Sequence, residues 1–180
     1  MPPLFPPPSF ACVDDRIFRS GFPSELNFTF IESLNLKTVV VLSPENVEDQ
    51  FISFLKDCGI RVVYIHNAAN ADGFRGMSVV AEETIIEALN VVTKSINLPA
   101  LITCRSGKTL TGVVVGCLRK LQRWSFISIF EEYRRFACGG LSQHYSLQNQ
   151  QHEQFMEMFD TDLVTIDDDS APDFMKRVRL

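Results

Sequence analysis

Short apolar runs alternate along the chain with stretches in which apolar residues recur every three or four positions. The runs are typical of buried strands, and the three-to-four spacing is typical of helices that bury one face. Strands are predicted at 10–13, 17–19, 36–42, 61–65 and from residue 100 onward, and helices at 27–33, 46–57, 78–94, 110–123, 126–136 and 148–159. Residues 10–19 form a predicted hairpin. The alternation predicts an α/β fold with a mainly parallel central sheet of about four to five strands flanked by helices.

The two ends of the chain lack both patterns. Residues 1–9 contain five prolines, which lack a backbone donor, so an extended Pro-rich lead-in is expected there. Residues 161–180 carry a run of three aspartates followed by basic residues, a composition that predicts a weakly ordered tail. The 180-residue chain, with 46% hydrophobic residues, is therefore expected to hold one domain at 10–160.

Charge and cysteine content narrow the functions that this fold could serve. The net charge of −5 argues against a general binder of nucleic acid or of a membrane surface, and no apolar run is long enough to span a bilayer. Five cysteines without a paired spacing favour reduced thiols in the cytosol or nucleus, and the cytoplasm is the predicted location. Neither a metal-ligand cluster nor a cofactor motif is present, so no metal and no cofactor are expected.

The candidate chemistry lies where the strand that begins at Ala100 delivers Cys104 into a loop in front of a helix. Backbone N–H groups at the positive end of a helix favour an anion. A nucleotide-binding loop would need a glycine five residues before Gly107, where the chain has Ile102. A cysteine phosphatase loop needs a thiolate nucleophile and an arginine six residues later that clamps the phosphoryl oxygens. That later position is Leu110.

Several segments give the chain a family resemblance: Ile17–Pro23, Asn27–Phe30, Leu36–Glu45, Gly116–Trp124 and Ser128–Ala137. Through them the chain, from about Pro8 to Asp160, resembles the plant and fungal atypical dual-specificity phosphatases, whose members include inositol-pyrophosphate phosphatases. The resemblance implies the cysteine dual-specificity phosphatase fold. It also implies a phosphorylated ligand, either a phosphoprotein or an inositol pyrophosphate.

The family loop reads His-Cys-Lys-Arg-Gly-Lys-His-Arg-Thr-Gly, and this chain matches it at Cys104, Gly107, Lys108, Thr111 and Gly112. The resemblance therefore implies that Cys104 is the nucleophile and that Thr111 helps the thiolate to leave. Lys108 would supply one cation, Gly107 the turn, and Gly112 the start of the helix.

The loop departs from the family at four positions: Thr103 and Thr109 replace histidines, and Ser106 and Leu110 replace arginines. Losing one preorganised oxyanion donor costs about 2.7–4 kcal/mol, and a bidentate guanidinium exceeds an ordinary donor. We therefore predict a pseudophosphatase or strongly impaired phosphatase. Its phosphate-binding loop would comprise Arg105, Ser106, Gly107, Lys108, Thr109, Leu110 and Gly112.

Two alternatives stay open. The first is an active phosphatase of phosphoproteins or inositol pyrophosphates that forms a phosphocysteine at Cys104, with Asp72 as candidate general acid. Asp72 is equally well interpreted as an Asx-turn residue before Gly73, and Arg75 on the same loop is a candidate replacement for the clamp. The second is a scaffold subunit that forms a hetero- or homo-oligomer with related phosphatase-fold proteins.

Other residues are expected to serve packing. Trp124 is predicted to be a core anchor between helices, and Cys58 a core residue at a helix end. Cys12, Cys117 and Cys138 are interpreted as small buried or semi-buried apolar residues rather than redox partners of Cys104.

Overall fold

The structure, a computed structural model, describes residues 3–66, 80–138, 146–167 and 169–176. Helices and strands alternate in these ranges as the hydrophobic pattern predicts. In chain order they are β1 (Ala11–Asp14), β2 (Ile17–Gly21), α1 (Phe28–Ser33), β3 (Thr38–Leu42), α2 (Asp49–Asp57), β4 (Arg61–Ile65), α3 (Glu82–Val92), β5 (Ala100–Cys104), α4 (Thr109–Leu121), α5 (Phe126–Ala137), α6 (Leu147–Met158) and α7 (Asp173–Lys176).

The strands form one sheet in the order β1-β2-β5-β3-β4. β1 and β2 are the antiparallel hairpin, and the other neighbouring pairs are parallel, so the predicted α/β fold with a mainly parallel sheet is confirmed. β5 is the central strand, and all five of its residues are buried. Gly21, the last residue of β2, lies opposite Cys104, the last residue of β5. The carboxyl ends of the parallel strands therefore meet at the edge where Cys104 lies, which is the edge where such sheets bind ligands.

Each face of the sheet carries its own layer of helices. Val40 and Ile102 point into a core shared with α3, α4, α5 and α6, whereas Val39, Val41 and Leu101 point into a smaller core with α1 and α2. Burial on both faces explains why β3 and β5 are continuous apolar runs rather than alternating ones. Among the described residues, no helix is long and apolar enough to cross a membrane.

The Pro-rich lead-in is tied to the domain. The Pro8 carbonyl accepts a hydrogen bond from the Gly21 N–H at 2.7 Å, and the carbonyls of Phe5 and Pro6 each accept from Asn27 Nδ2 at 3.2 Å. Proline carbonyls remain acceptors although proline has no N–H to donate. The extended lead-in thus borders the end of β2, beside the candidate loop.

The segment after residue 160 differs from the weakly ordered tail that its composition predicts. Val164, Ala171 and Met175 are buried in the core of the α3–α6 face, and the Ser170 carbonyl accepts from the Ser95 N–H at 2.8 Å. The acidic run dominates the composition, whereas the residues that anchor the segment are isolated apolar side chains without a helical or strand period. Composition therefore gave the wrong expectation for residues 161–167 and 169–176.

Three packing expectations also need correction. Trp124 is 44% exposed and lies on the guanidinium of Arg119, whose Cζ is 4.1 Å from the ring centroid, so it covers a buried cation instead of filling a core. Cys12 and Cys58 are exposed, and at that end of α2 the buried position is held by Leu55. Cys117 is buried, as expected, and Cys138 is half-buried.

Candidate functional site

The sequence-predicted nucleophile lies at the carboxyl end of the central strand. Cys104 is the last residue of β5 and is 5% exposed. Residues 105–108 form a loop, Lys108 is the N-cap of α4, and the helix begins at Thr109. The strand, loop and helix predicted from the sequence are therefore present and keep the candidate site residues from Cys104 to Gly112 in one contiguous unit.

The loop lies directly against the end of β2. Gly107 has φ +67°, in the left-handed region that favours glycine. A Cβ there would lie 2.7 Å from the Ser20 carbonyl oxygen and closer still to the Gly21 nitrogen. A Cβ at Gly21 would likewise lie 3.0 Å from the backbone of Ser106. Both glycines are needed for the loop to approach β2 so closely.

The amino end of α4 offers donors to an anion. The first N–H groups of a helix have no intrahelical partners and carry the positive end of the helix dipole. The first turn of α4 contains no acidic residue, and the Lys108 N–H donates to Ser106 Oγ at 3.3 Å. Arg105 and Ser106 are exposed. The amino end of this 13-residue helix, next to Cys104, is therefore of the kind that favours an anion.

Leu110 lies six residues beyond Cys104, in the first turn of α4. The side chain is half-buried and packs against the apolar core of the α3–α6 face. A leucine brings neither a charge nor a donor, so residue 110 cannot hold two phosphoryl oxygens as a guanidinium would.

The two threonines that flank these positions have different roles. Thr103 is fully buried, and its hydroxyl donates to the Ser20 carbonyl at 3.1 Å, so it ties β5 to β2. Thr111 is also fully buried, but within the described ranges its Oγ1 makes no hydrogen bond. The Thr111 hydroxyl is therefore available to a group in the site.

Arg19 of β2 contacts the loop from behind, and the sequence did not reveal it as a site residue. It has no exposed surface, and its Nη2 donates to the carbonyls of Gly107 at 2.8 Å and Lys108 at 3.3 Å. The guanidinium carbon lies 3.8 Å from the centroid of the Phe136 ring. Burial lowers the pKa of Arg19 to about 10, against the opposing effect of the negative charges of Glu132 and of Cys104 as a thiolate. The sequence signal was an arginine inside a buried strand.

A second buried polar group lies behind the helix start. A Cβ at Gly112 would lie 3.0 Å from Tyr133 Cδ2, so this glycine lets α4 and α5 approach. Tyr133 Oη is 2.6 Å from His152 Nδ1, and burial lowers the pKa of His152. No functional role was assigned to His152 from the sequence.

The candidate acid Asp72, with Gly73 and the clamp candidate Arg75, lies outside the described residues, so these assignments stay predictions. His66 is exposed, with Nδ1 3.1 Å from Glu45 Oε1. In the described ranges no group of three or more His, Cys, Asp or Glu side chains could hold a metal ion.

The sequence is similar to those of several known proteins. A sequence model described as "Tyrosine phosphatase family" matches residues 4–177. The "Probable tyrosine-protein phosphatase DG1060" of Dictyostelium discoideum is 44% identical over 170 residues, which cover 94% of this chain and 95% of that protein. The "Inositol diphosphatase DSP2" of Oryza sativa subsp. japonica is 43% identical over 159 residues, covering 88% and 72% respectively.

A solved structure is similar to this chain in both fold and sequence. The core catalytic domain of the PP-IP phosphatase SIW14 from S. cerevisiae, in complex with citrate, has a TM-score of 0.74 at 38% identity and covers 89% of this chain and 90% of that one. The fold is thus a cysteine phosphatase fold, and the chain belongs to the tyrosine phosphatase family.

Proposed function

We propose that this protein binds a phosphorylated ligand in the loop over Cys104 and hydrolyses it slowly or not at all. The observation that carries the proposal is Leu110. At the position expected for the family's clamp, the side chain packs against the core, while α4 begins directly after the loop that follows Cys104, and the start of a helix favours an anion.

Anion binding is supported by the charges around the loop. Lys108 stands at the start of α4, no carboxylate lies in the first turn of that helix, and the cation of Arg19 lies beneath the loop carbonyls. The relatives include proteins named inositol diphosphatases, and one relative's structure holds citrate, a multiply charged anion. The proposed ligand class is therefore an inositol pyrophosphate or a phosphoprotein.

Weak catalysis is supported by the cost of the missing donors. One preorganised donor is worth on the order of a hundred- to a thousandfold in rate, and the arginine would donate two hydrogen bonds in the transition state. Leu110 removes both, and Ser106 and Thr109 stand where the family has further cationic or ionisable side chains.

A second candidate function is active phosphatase chemistry through a phosphocysteine. Cys104 lies at the expected end of β5, and the buried Thr111 hydroxyl has no hydrogen-bond partner within the described ranges. Those are the nucleophile and the leaving-group donor of the mechanism.

Association and location are also proposals. A scaffold role with a related phosphatase would use exposed apolar residues such as Trp124, Phe126 and Ile127, which follow one another closely on the surface. All five cysteines are free, which fits a reducing compartment such as the cytoplasm.

Phosphate release separates the two catalytic proposals. Wild type, Cys104→Ser and Leu110→Arg would be assayed on an aryl phosphate and on an inositol pyrophosphate. We expect wild-type turnover close to that of Cys104→Ser, and higher turnover in Leu110→Arg. Wild-type turnover far above Cys104→Ser would establish the active phosphatase and reject the impaired one.

Thermal unfolding tests binding independently of turnover. A ligand at a hundred times its dissociation constant stabilises the native state by about 2.7 kcal/mol, which for a chain of this size corresponds to a rise in Tm of about 5–10 °C. Phosphate and inositol hexakisphosphate should each raise the Tm of wild type and of Cys104→Ser. The absence of a shift at millimolar concentration would reject a working anion site.

A further inference from the structure

Arg19 is a buried cation whose position needs an explanation. It has no exposed surface, and within the described residues its Nε and Nη1 have no hydrogen-bond partner. The described carboxylates include none within ion-pair distance of it; those ion pairs join Arg119, Arg134 and His66 to acidic residues. Burying an unpaired charge is costly, so the site must gain from the guanidinium.

The sheet register places this charge beside the nucleophile. Arg19 lies opposite Ile102, and Gly21 lies opposite Cys104. Because side chains two residues apart on a strand share a face, Arg19 and Cys104 project on the same side of the sheet. This is the side covered by α4 and α5, where the Phe136 ring lies on the guanidinium.

Arg19 also contacts two peptide groups of the loop. Its Nη2 donates to the carbonyls of Gly107 and Lys108, and the Lys108 carbonyl accepts in addition from the Gly112 N–H at 3.0 Å. In a trans peptide the N–H points opposite to the C=O, so the N–H groups of Lys108 and Thr109 point away from Arg19. For Lys108 that is the side of Ser106, whose Oγ accepts the N–H.

We propose that Arg19 is the positioning residue of the anion loop, turning the amides of Lys108 and Thr109 toward the ligand and supplying from beneath the positive charge that Leu110 does not provide. The inference rests on the proposed function for its ligand. Its effect on the reactivity of Cys104 is independent of any ligand, because a nearby cation increases the reactivity of a cysteine.

Alkylation of Cys104 tests the proposed electrostatic effect of Arg19 on this cysteine. The rate of modification by iodoacetamide would be measured at one neutral pH, with the modified peptide identified by mass spectrometry. Arg19→Met should slow this modification about tenfold, because a nearby cation increases the reactivity of a cysteine. Arg19→Lys should recover part of the wild-type rate. Arg16→Met is the matched control, because the exposed Arg16 donates to the Leu98 carbonyl, away from the loop. A folded Arg19→Met protein with an unchanged alkylation rate would overturn the inference.

Phosphate binding tests whether Arg19 positions the loop amides for an anion. Phosphate should raise the Tm of wild type and Arg16→Met, and the rise should be at least halved in Arg19→Met. An equal rise in all three would contradict the inference and leave the proposed anion site standing. No rise in wild type would reject the anion site, and the alkylation rate would still decide whether Arg19 acts on Cys104.

Wild-type protein decides the question if the Arg19 variants do not fold. The ¹⁵N–¹H signal of the Arg19 Nε group, assigned through bonds from the backbone, would be followed as phosphate is added. It should move together with the Lys108 amide signal. Movement of the Lys108 amide alone would show that the anion binds without any response from Arg19, and would overturn the inference.

Discussion

The close approach of the loop to β2 predicts a large effect for a single added methyl group. Gly107→Ala would place a Cβ under 3 Å from the backbone of Ser20 and Gly21, so the loop or β2 must move. Gly59→Ala is the matched control: Gly59 has the same φ of +67°, yet a Cβ there would meet nothing within 4 Å.

The difference between the two variants isolates the steric effect. Both pay the same penalty for an alanine in the left-handed region, about 1–2 kcal/mol, and both gain the same small entropic benefit in the unfolded chain. Only Gly107→Ala adds overpacking, which typically costs about 1–3 kcal/mol. Because the neighbours are backbone atoms and cannot rotate away, we expect the upper end, about 3 kcal/mol. For a chain of this size that lowers the Tm by about 6–12 °C beyond the control.

Urea and thermal unfolding of the two variants would measure this difference in stability. The rise in Tm on adding phosphate would measure anion binding at the loop. Gly59→Ala should keep the wild-type response to phosphate, whereas Gly107→Ala should lose it, since the amides of Lys108 and Thr109 are displaced. Equal destabilisation in both variants would refute the contact between the loop and β2 on which the reasoning depends.

Three further outcomes are expected. Arg119→Met should lower the free energy of unfolding by about 3 kcal/mol in urea, because it leaves Glu132, which is 2.8 Å from Arg119 Nε in a largely buried pair, without its cation. Burial lowers the folded-state pKa of His152, so the unfolded chain binds more protons below pH 6.5; wild type should therefore lose more stability than His152→Gln as the pH falls from 7 to 5. Met175→Ala should cost at least about 2 kcal/mol in urea, since Met175 is 3% exposed; no loss would contradict its burial.

The loop could be predicted from the sequence because its chemistry is contiguous. The apolar run of β5, the cysteine, the glycine and the helix that follows are neighbours in the chain, so local pattern alone places them. The leucine at residue 110 was visible for the same reason, since it is six residues beyond Cys104.

Arg19 and the tail could not be predicted in that way. Arg19 is 88 residues from Gly107, and only the pairing of β2 with β5 brings the two together. The anchors of the tail, such as Val164 and Met175, are single apolar residues in an acidic segment. They are buried in the core of the α3–α6 face, which no periodicity in the tail itself predicts.

The backbone of this loop and the side chain at residue 110 are held by separate contacts. Three sets of contacts fix the loop from the side of β2. They are the backbone contacts of Gly107, the hydrogen bond from Thr103 to the Ser20 carbonyl and the hydrogen bonds from Arg19 to the loop carbonyls. None of them involves residue 110. A leucine at that position can therefore join the core while the amides at the start of α4 keep their direction. Under the proposed function, such a chain is expected to retain the ground-state binding of an anion and to lose the interactions that matter only as the phosphoryl group is transferred.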